Sequence, residues 1–273
     1  MSTLLLFTSD LDRTLIYSSN MMKNFPITGE GIPVEYKDDQ IITFMSRQSI
    51  DLLRQINEKH IFVPVTTRAL YQYERIKLFQ QEIKPAYAIV CNGGTILHNG
   101  QVDQEWNKMI RGKITATCVP KEDMLKVFNR IRHTSWVSRE FYVDDFFYVF
   151  HTIKEHVPHA ELEAFELELA SIGWRSFLHG KKLYILPAHL EKAAAVARLQ
   201  EQLEYDFHVA AGDSLMDYDM ISGADIGYSP LHGELYEKQA AAIDVSWIHQ
   251  NGAASTEEML QKILGLQIPH AVK

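Results

Sequence analysis

Apolar residues in this chain cluster in short, nearly unbroken runs toward both ends and in wider, spaced patterns between them. Leu4-Leu5-Leu6-Phe7, Ile61-Phe62-Val63-Pro64-Val65 and His208-Val209-Ala210-Ala211 read as short buried strands. Helical spacing follows: Leu70, Tyr73, Ile76 and Phe79 form one stripe, and Leu199 and Leu203 extend another that begins at Leu190. The stretch from Ile42 to His60 predicts a single helix with Leu53 and Ile56 on its buried side. Strand and helix therefore alternate up to about Gly94 and again after about Pro187. That alternation predicts an α/β fold, a Rossmann-like parallel sheet with helices on both faces. Ser18 to Asp39 holds Pro26, Gly29, Gly31 and Pro33 with little periodicity, and reads as a long loop: a lid, or a surface excursion.

The pattern changes between the two halves. Thr95 to Val102 reads as a strand with an Asn99-Gly100 hairpin turn. Lys121 to His133 has helical spacing, Glu140 to Ile153 is rich in strand formers, and His159 to Ile172 is helical again. Trp174–Phe177 and Lys182–Leu186 pair as strands about Gly180. The expected organisation is a core of residues 1–94 and 187–273 with an inserted α+β cap domain at 95–186.

Composition narrows the class. A formal charge of −8 over 273 residues lacks the basic excess of a nucleic-acid binder, and net charge does not steer anionic substrates in. Cys91 and Cys118 are too few for a disulfide framework. The apolar start is too short for a signal peptide, and no run approaches membrane-spanning length. The expectation is a cytoplasmic protein with a small-molecule substrate, no nucleic-acid or membrane partner, and a monomeric or dimeric state.

The chemistry concentrates where the predicted strands end. Asp10-Leu11-Asp12-Arg13-Thr14 follows the first strand, at the sheet edge where open α/β sheets bind ligands. Residues i and i+2 point the same way along a strand, so two carboxylates can serve one site. One would act as nucleophile and the other as proton carrier, with a cation such as Mg²⁺ offsetting their repulsion. Gly212-Asp213-Ser214-Leu215-Met216-Asp217 follows another strand and adds two carboxylates near a helix start. Thr66-Thr67-Arg68 stands between strand and helix, where a hydroxyl and free N–H groups suit phosphate. Lys192 falls in a first helical turn, an unfavourable place for a cation unless an anion is close. Taken singly each has an ordinary counterpart: Asp favours turns, hydroxyls begin helices, and most lysines are solvated.

Together and in this order, the segments resemble the four motifs of the haloacid dehalogenase-like phosphohydrolase superfamily: Asp10-x-Asp12-x-Thr14, Thr66, Lys192 and Gly212-Asp213-Ser214-x-x-Asp217. Cys91-Asn92-Gly93-Gly94-Thr95-Ile96 looks like the Asn-Gly-Gly step of its Cof-type and sucrose-phosphatase-like branch, which also inserts its cap between the second and third motifs. The resemblance implies a Mg²⁺-dependent phosphatase acting on a small phosphomonoester, a sugar phosphate or related metabolite, through an aspartyl-phosphate. Asp10 would be the nucleophile and Asp12 the acid and base, with Thr66 and Lys192 also catalytic. Asp10, Asp12 (through its carbonyl) and Asp213 would hold the metal, with Asp217 ordering its shell. Thr66, Thr67, Asn92, Gly93 and Lys192 would bind phosphate.

Candidate cap contacts to the leaving group are Arg139, Arg175 and Lys182, then His179, Lys181 and Tyr184, with Trp136 as a stacking surface. Two departures stand out: Arg13 replaces the usual glycine, and Thr67 replaces a glycine or serine. A phosphomutase of the phosphomannomutase type would use the same aspartates, and a non-catalytic binding protein on this scaffold is the third reading. Phosphate release without an acceptor, interconversion stimulated by a bisphosphate, and tight binding without turnover separate the three.

Overall fold

A computed structural model describes residues 3–238 and 245–267. The chain opens with β1 (Leu5–Ser9), whose five residues are all buried, as expected of a strand covered on both faces. After a tight turn come β2 (Tyr17–Ser18), α1 (Ser19–Asn24), β3 (Gly31–Lys37) and β4 (Gln40–Ser46). Then follow α2 (Arg47–Lys59), β5 (Ile61–Pro64), α3 (Leu70–Glu74) and β6 (Tyr87–Val90).

Two expectations are corrected here. The predicted helix from Ile42 starts only at Arg47, capped by the Ser46 side chain, which accepts from the Ser49 amide. The predicted loop of 18–39 is in large part structured: β3 pairs antiparallel with β4 in a hairpin, and β2 completes a three-stranded sheet. Asp38 and Asp39, with φ of 48° and 61°, make the left-handed two-residue turn that suits strand twist. A register shift between Pro33 and Glu35 lets the adjacent Val34 and Glu35 both be buried, which hides the strand's alternation.

The middle of the chain holds β7 (Thr95–His98), β8 (Gln101–Val102), α4 (Gln104–Thr117), α5 (Lys121–Phe128), β9 (Val137–Val143), β10 (Phe147–Thr152), α6 (His159–Ser171), β11 (Trp174–His179) and β12 (Lys182–Pro187). The single strand expected over 140–153 is two, broken by Asp144 and Asp145 at positive φ. These strands form an antiparallel sheet in the order β11-β12-β10-β9. One face packs on α5 and α6 through Met124, Phe128, Phe150, Leu162, Phe165, Leu169, Leu183 and Ile185, a core separate from the main one. Ile96, Leu97, Trp106 and Ile110, by contrast, join the main core.

The last part alternates α7 (Lys192–Gln200), β13 (Phe207–Ala211), α8 (Tyr218–Ser222), β14 (Ile226–Pro230), α9 (Glu234–Glu237), β15 (Val245–Ile248) and α10 (Ala253–Leu264). The central sheet runs β15-β14-β13-β1-β5, every pair parallel. Its strands and the apolar sides of α2, α7, α8 and α10 form the main core. The fold is a helix-flanked parallel sheet with an inserted α+β cap. No helix among the described residues is long and apolar enough to cross a membrane.

Candidate active site

β1 lies between β13 and β5, so its carboxyl end is flanked on both sides by neighbouring strand ends. Asp10 extends the ladder by one bond, its amide donating to the Ala211 carbonyl at 2.9 Å. The chain then turns sharply: the amides of Thr14, Leu15 and Ile16 all donate to the Leu11 carbonyl. Leu11 is fully buried, so Asp10 and Asp12 on either side face away from it. Arg13 adopts a left-handed φ of 67°, the reason a glycine suits this position. The Thr14 hydroxyl donates to Asp10 Oδ2 at 3.3 Å and fixes the carboxyl's orientation.

Lys192 opens α7 with its ammonium buried among carboxylates. It donates to Asp10 Oδ1 and Asp217 Oδ1, both at 2.6 Å. Gly93 makes that approach possible: a Cβ there would lie 2.2 Å from the Glu191 carbonyl oxygen. Asn92 donates to the Leu190 carbonyl at 2.8 Å, tying the same junction. Asp217 Oδ2 accepts from the Asp213 amide, the Ser214 amide and the Ser214 hydroxyl. Its oxygens therefore hold Lys192 and the loop. Ligand oxygens of Asp10, Asp213 and Asp217 lie within 4.8 Å of one another. Asp213 Oδ2 is buried and accepts no hydrogen bond, although Arg13 Nε stands 2.8 Å away out of line. Burial pushes the Asp10 carboxyl up against the pull of Lys192, and Asp217 and Asp213 push it further. Burial likewise raises Asp213, opposed by His179 and Arg13. Crowded carboxylates with one orphaned oxygen are a donor set that fits a hard divalent cation.

Asp12 has the opposite environment. Its side chain is 50% exposed, and Arg68 grips it with Nε at 2.7 Å and Nη2 at 2.8 Å. Burial of the locale alone would raise its pKa; the charge and hydrogen bonds of Arg68 override this and bring it down to about 2. Arg68 Nη1 lies 2.8 Å from Glu35 Oε2, and Arg75 holds Glu35 Oε1 at 2.9 Å. Glu35 is fully buried, with the Thr43 hydroxyl donating to it at 3.2 Å. Sequence reasoning missed Glu35 because it sits in the segment expected to be a loop. Thr66 is buried beside this group, its hydroxyl accepting from the Arg68 amide at 3.2 Å. Thr67 follows it, half-buried, at the start of the turn.

The cap reaches the site unevenly. His179 Nδ1 pairs with Glu234 Oε2 at 2.9 Å, and Glu234 also accepts from the Leu215 amide and Lys238. Burial opposes the charged imidazole, but Glu234 outweighs it and the pKa moves up. Glu234 itself falls to about 2 as His179 and Lys238 overcome burial. Lys182 stands close enough to Asp12 to help lower it. Arg175 instead bonds Glu191 and the Leu190 carbonyl, a strut between β11 and the start of α7. Arg139 lies on the edge strand. The expected stacking role of Trp136 is not supported: it is 3% exposed, packed in the cap's own core with its Nε1 donating to the Ile131 carbonyl.

A family model described as sucrose-6F-phosphate phosphohydrolase matches residues 3–229. The sucrose-phosphatase from Synechocystis sp. PCC6803, solved with sucrose and phosphate, superposes with a TM-score of 0.67 at 14% identity, over 97% of this chain and 98% of that one. SMU.1108c from Streptococcus mutans UA159 gives 0.64 at 14% identity, over 97% and 100%. BT1666 from Bacteroides thetaiotaomicron, described among phosphatases of the haloalkanoate (HAD) enzyme superfamily, gives 0.60 at 16%, over 96% of each chain. At these identities the likeness is one of fold. No curated protein sequence matches.

Proposed function

Since the chain belongs to the sucrose-6F-phosphate phosphohydrolase family, and so to the phosphoric monoester hydrolases, we propose that it cleaves a small sugar phosphate or related metabolite by way of a phosphoryl group carried on Asp10. The observation that carries this reading is the Asp10 carboxylate at the carboxyl end of β1, held by Lys192 at 2.6 Å and Thr14 at 3.3 Å.

In the first half-reaction an Asp10 oxygen bonds to phosphorus and the P–O bond to the leaving alcohol breaks. An ionised aspartate needs no base for this, and splitting hydrolysis into two displacements makes each easier. Lys192 orients the nucleophile and neutralises charge beside it, with Thr66, Thr67, Asn92 and Gly93 lining the phosphate side. Asp12 gives the alcohol its proton, then takes one from the water that attacks the phosphoaspartate. Arg68 holds Asp12 ionised at rest, ready for the base step. An incoming phosphate dianion competes for that guanidinium and raises Asp12 toward the acid form. Asp10, the Asp12 carbonyl and Asp213 would hold Mg²⁺, and Asp217 would order the loop beneath. Bound there, Mg²⁺ supplies Lewis-acid charge that stabilises the phosphoryl oxygens.

The cap shields the reaction from stray water. We assign its moving part to 118–187, with the helix of 104–117 anchored on the main core through Trp106 and Ile110, and the crossings near Cys118 and Pro187 as hinges. The test is phosphate release from a panel of sugar monophosphates, with Mg²⁺ or with EDTA and no acceptor. Release that requires Mg²⁺ supports the reading; conversion of one sugar monophosphate into another without release contradicts it.

A further inference from the structure

The face of the cap sheet that looks onto the core carries a row of basic side chains that the chemistry above does not use as a whole. Strand register sets Arg139 opposite His151, His151 opposite Lys182, and Lys182 opposite His179. Directly paired residues share a face, and successive residues alternate between faces. Phe150, Leu183 and Ile185 lie in the cap's own core, whereas Val149, Tyr184 and Leu186 join the main core, so the basic row is on the core-facing side. With strands roughly 4.8 Å apart, the row spans roughly 14 Å.

Its inner end is engaged and its outer part is not. His179 is spent on Glu234. Lys182 interacts chiefly with the neighbouring Tyr184 and more weakly with Asp12, and it forms no ion pair among the described residues. The Arg139 side chain makes neither a hydrogen bond nor an ion pair with any described residue, while every other arginine side chain makes at least one. Burial, with smaller contributions from Lys182 and Arg139 on either side, lowers the pKa of His151. Phe141, 45% exposed, lies along the same face with its ring 5.4 Å from that of His151. None of the core-facing positions on the four strands is Asp, Glu, Asn or Gln, the side chains that bracket sugar hydroxyls with acceptors.

We propose that Arg139, His151 and Lys182 form the leaving-group subsite, and that it selects phosphomonoesters whose sugar-sized leaving group carries a second anion, a carboxylate or another phosphate. The proposal rests on the phosphatase reading and names its substrate class. Lys182 borders the transferring phosphoryl group, while His151 and Arg139 meet the distal anion as Phe141 covers the carbon skeleton. A neutral leaving group leaves the row uncompensated.

The test uses the intact enzyme on matched pairs that differ by one anionic group: gluconate 6-phosphate against glucose 6-phosphate, and 3-phosphoglycerate against glycerol 3-phosphate. The acidic member of at least one pair should be favoured by about tenfold or more in kcat/KM. The preference should sit in KM and shrink with added salt. Arg139→Gln should cut it by about fivefold or more, and Arg139→Lys should restore most of it. Equal kcat/KM within both pairs, or a preference that Arg139→Gln leaves untouched, overturns the subsite. Absence of turnover for every ester, p-nitrophenyl phosphate included, defeats the phosphatase reading itself, which separates the two failures.

Discussion

Arg68 grips the Asp12 carboxylate with two nitrogens, Nε at 2.7 Å and Nη2 at 2.8 Å, while its third nitrogen rests 2.8 Å from buried Glu35. One guanidinium thereby ties the proton carrier of the proposed mechanism to a hairpin distant in sequence. The pair sets both the position and the resting charge of Asp12.

Replacing that guanidinium should change the pH profile as well as the rate. Arg68→Gln removes the charge that holds Asp12 down at about 2, so the pKa of Asp12 rises toward or above its ordinary value. The base step requires ionised Asp12, so the acidic limb of kcat should move to higher pH. Misplacing a general acid–base group commonly costs about 10²-fold or more in kcat. Steady-state kinetics between pH 4.5 and 8 reads both effects; a rate loss with an unmoved acidic limb would leave Arg68 a purely structural role.

Glu35 is the stability counterpart. It is fully buried between Arg68 and Arg75, and Glu35→Ala leaves Arg75 with no carboxylate partner and Arg68 with Asp12 alone. Breaking a buried ion pair from one side costs about 3–5 kcal/mol. Urea unfolding should show that loss, with activity falling as Asp12 loses its anchor. A cost under about 1 kcal/mol, as for a surface pair, would mean the cluster contributes little.

Arg13 offers a test of the metal assignment. Its guanidinium lies against Asp213, and its backbone holds a φ of 67°. Arg13→Gly removes a cation competing for Asp213 and relieves a strain of about 1 kcal/mol. The concentration of Mn²⁺ that half-saturates the protein, followed by electron paramagnetic resonance without substrate, should fall; Asp213→Asn should raise it. A binding curve indifferent to both changes would remove Asp213 from the ligand set.

His208 links pH to folding. Buried in β13 beside β1, it meets the Thr8 hydroxyl at 2.9 Å and the Gln200 amide at 3.1 Å, and burial brings its pKa down to about 4. The unfolded chain takes up a proton near pH 6.5 that the folded ring refuses, so stability should drop as pH falls from about 6.5 to 4, by up to about 1.4 kcal/mol per pH unit. His208→Gln should flatten this part of the curve in chemical-denaturation series; an unchanged slope would assign the acid sensitivity to other groups.

The parts of the molecule that were legible in the sequence are those where a local pattern and the tertiary environment agree. β1, β5 and β13 are buried on both faces and read as unbroken apolar runs, so the loops carrying Asp10, Thr66 and Asp213 could be located before any geometry. The Asn99-Gly100 turn likewise announced its hairpin. The β3–β4 hairpin was illegible because Pro33, a register shift and a buried glutamate erase the alternation that marks a strand. Glu35 could have been found only by asking what neutralises Arg68 and Arg75. Trp136 misled because an isolated aromatic says nothing of where it packs; it lies just before β9 and is buried in the cap's own core. Lys192, by contrast, betrayed itself as a cation at a helix start, and its two carboxylate partners explain it.

In the proposed reaction the phosphoryl group passes through Asp10. Acid quenching during turnover, followed by peptide mass spectrometry, tests it most directly, and an Asp12→Ala background should slow breakdown of the intermediate enough for it to accumulate. One phosphoryl group should appear on the peptide containing Asp10, vanish when the quench follows exhaustion of substrate, and never form in Asp10→Asn. Turnover with no such adduct, or an adduct on another residue, would contradict the account.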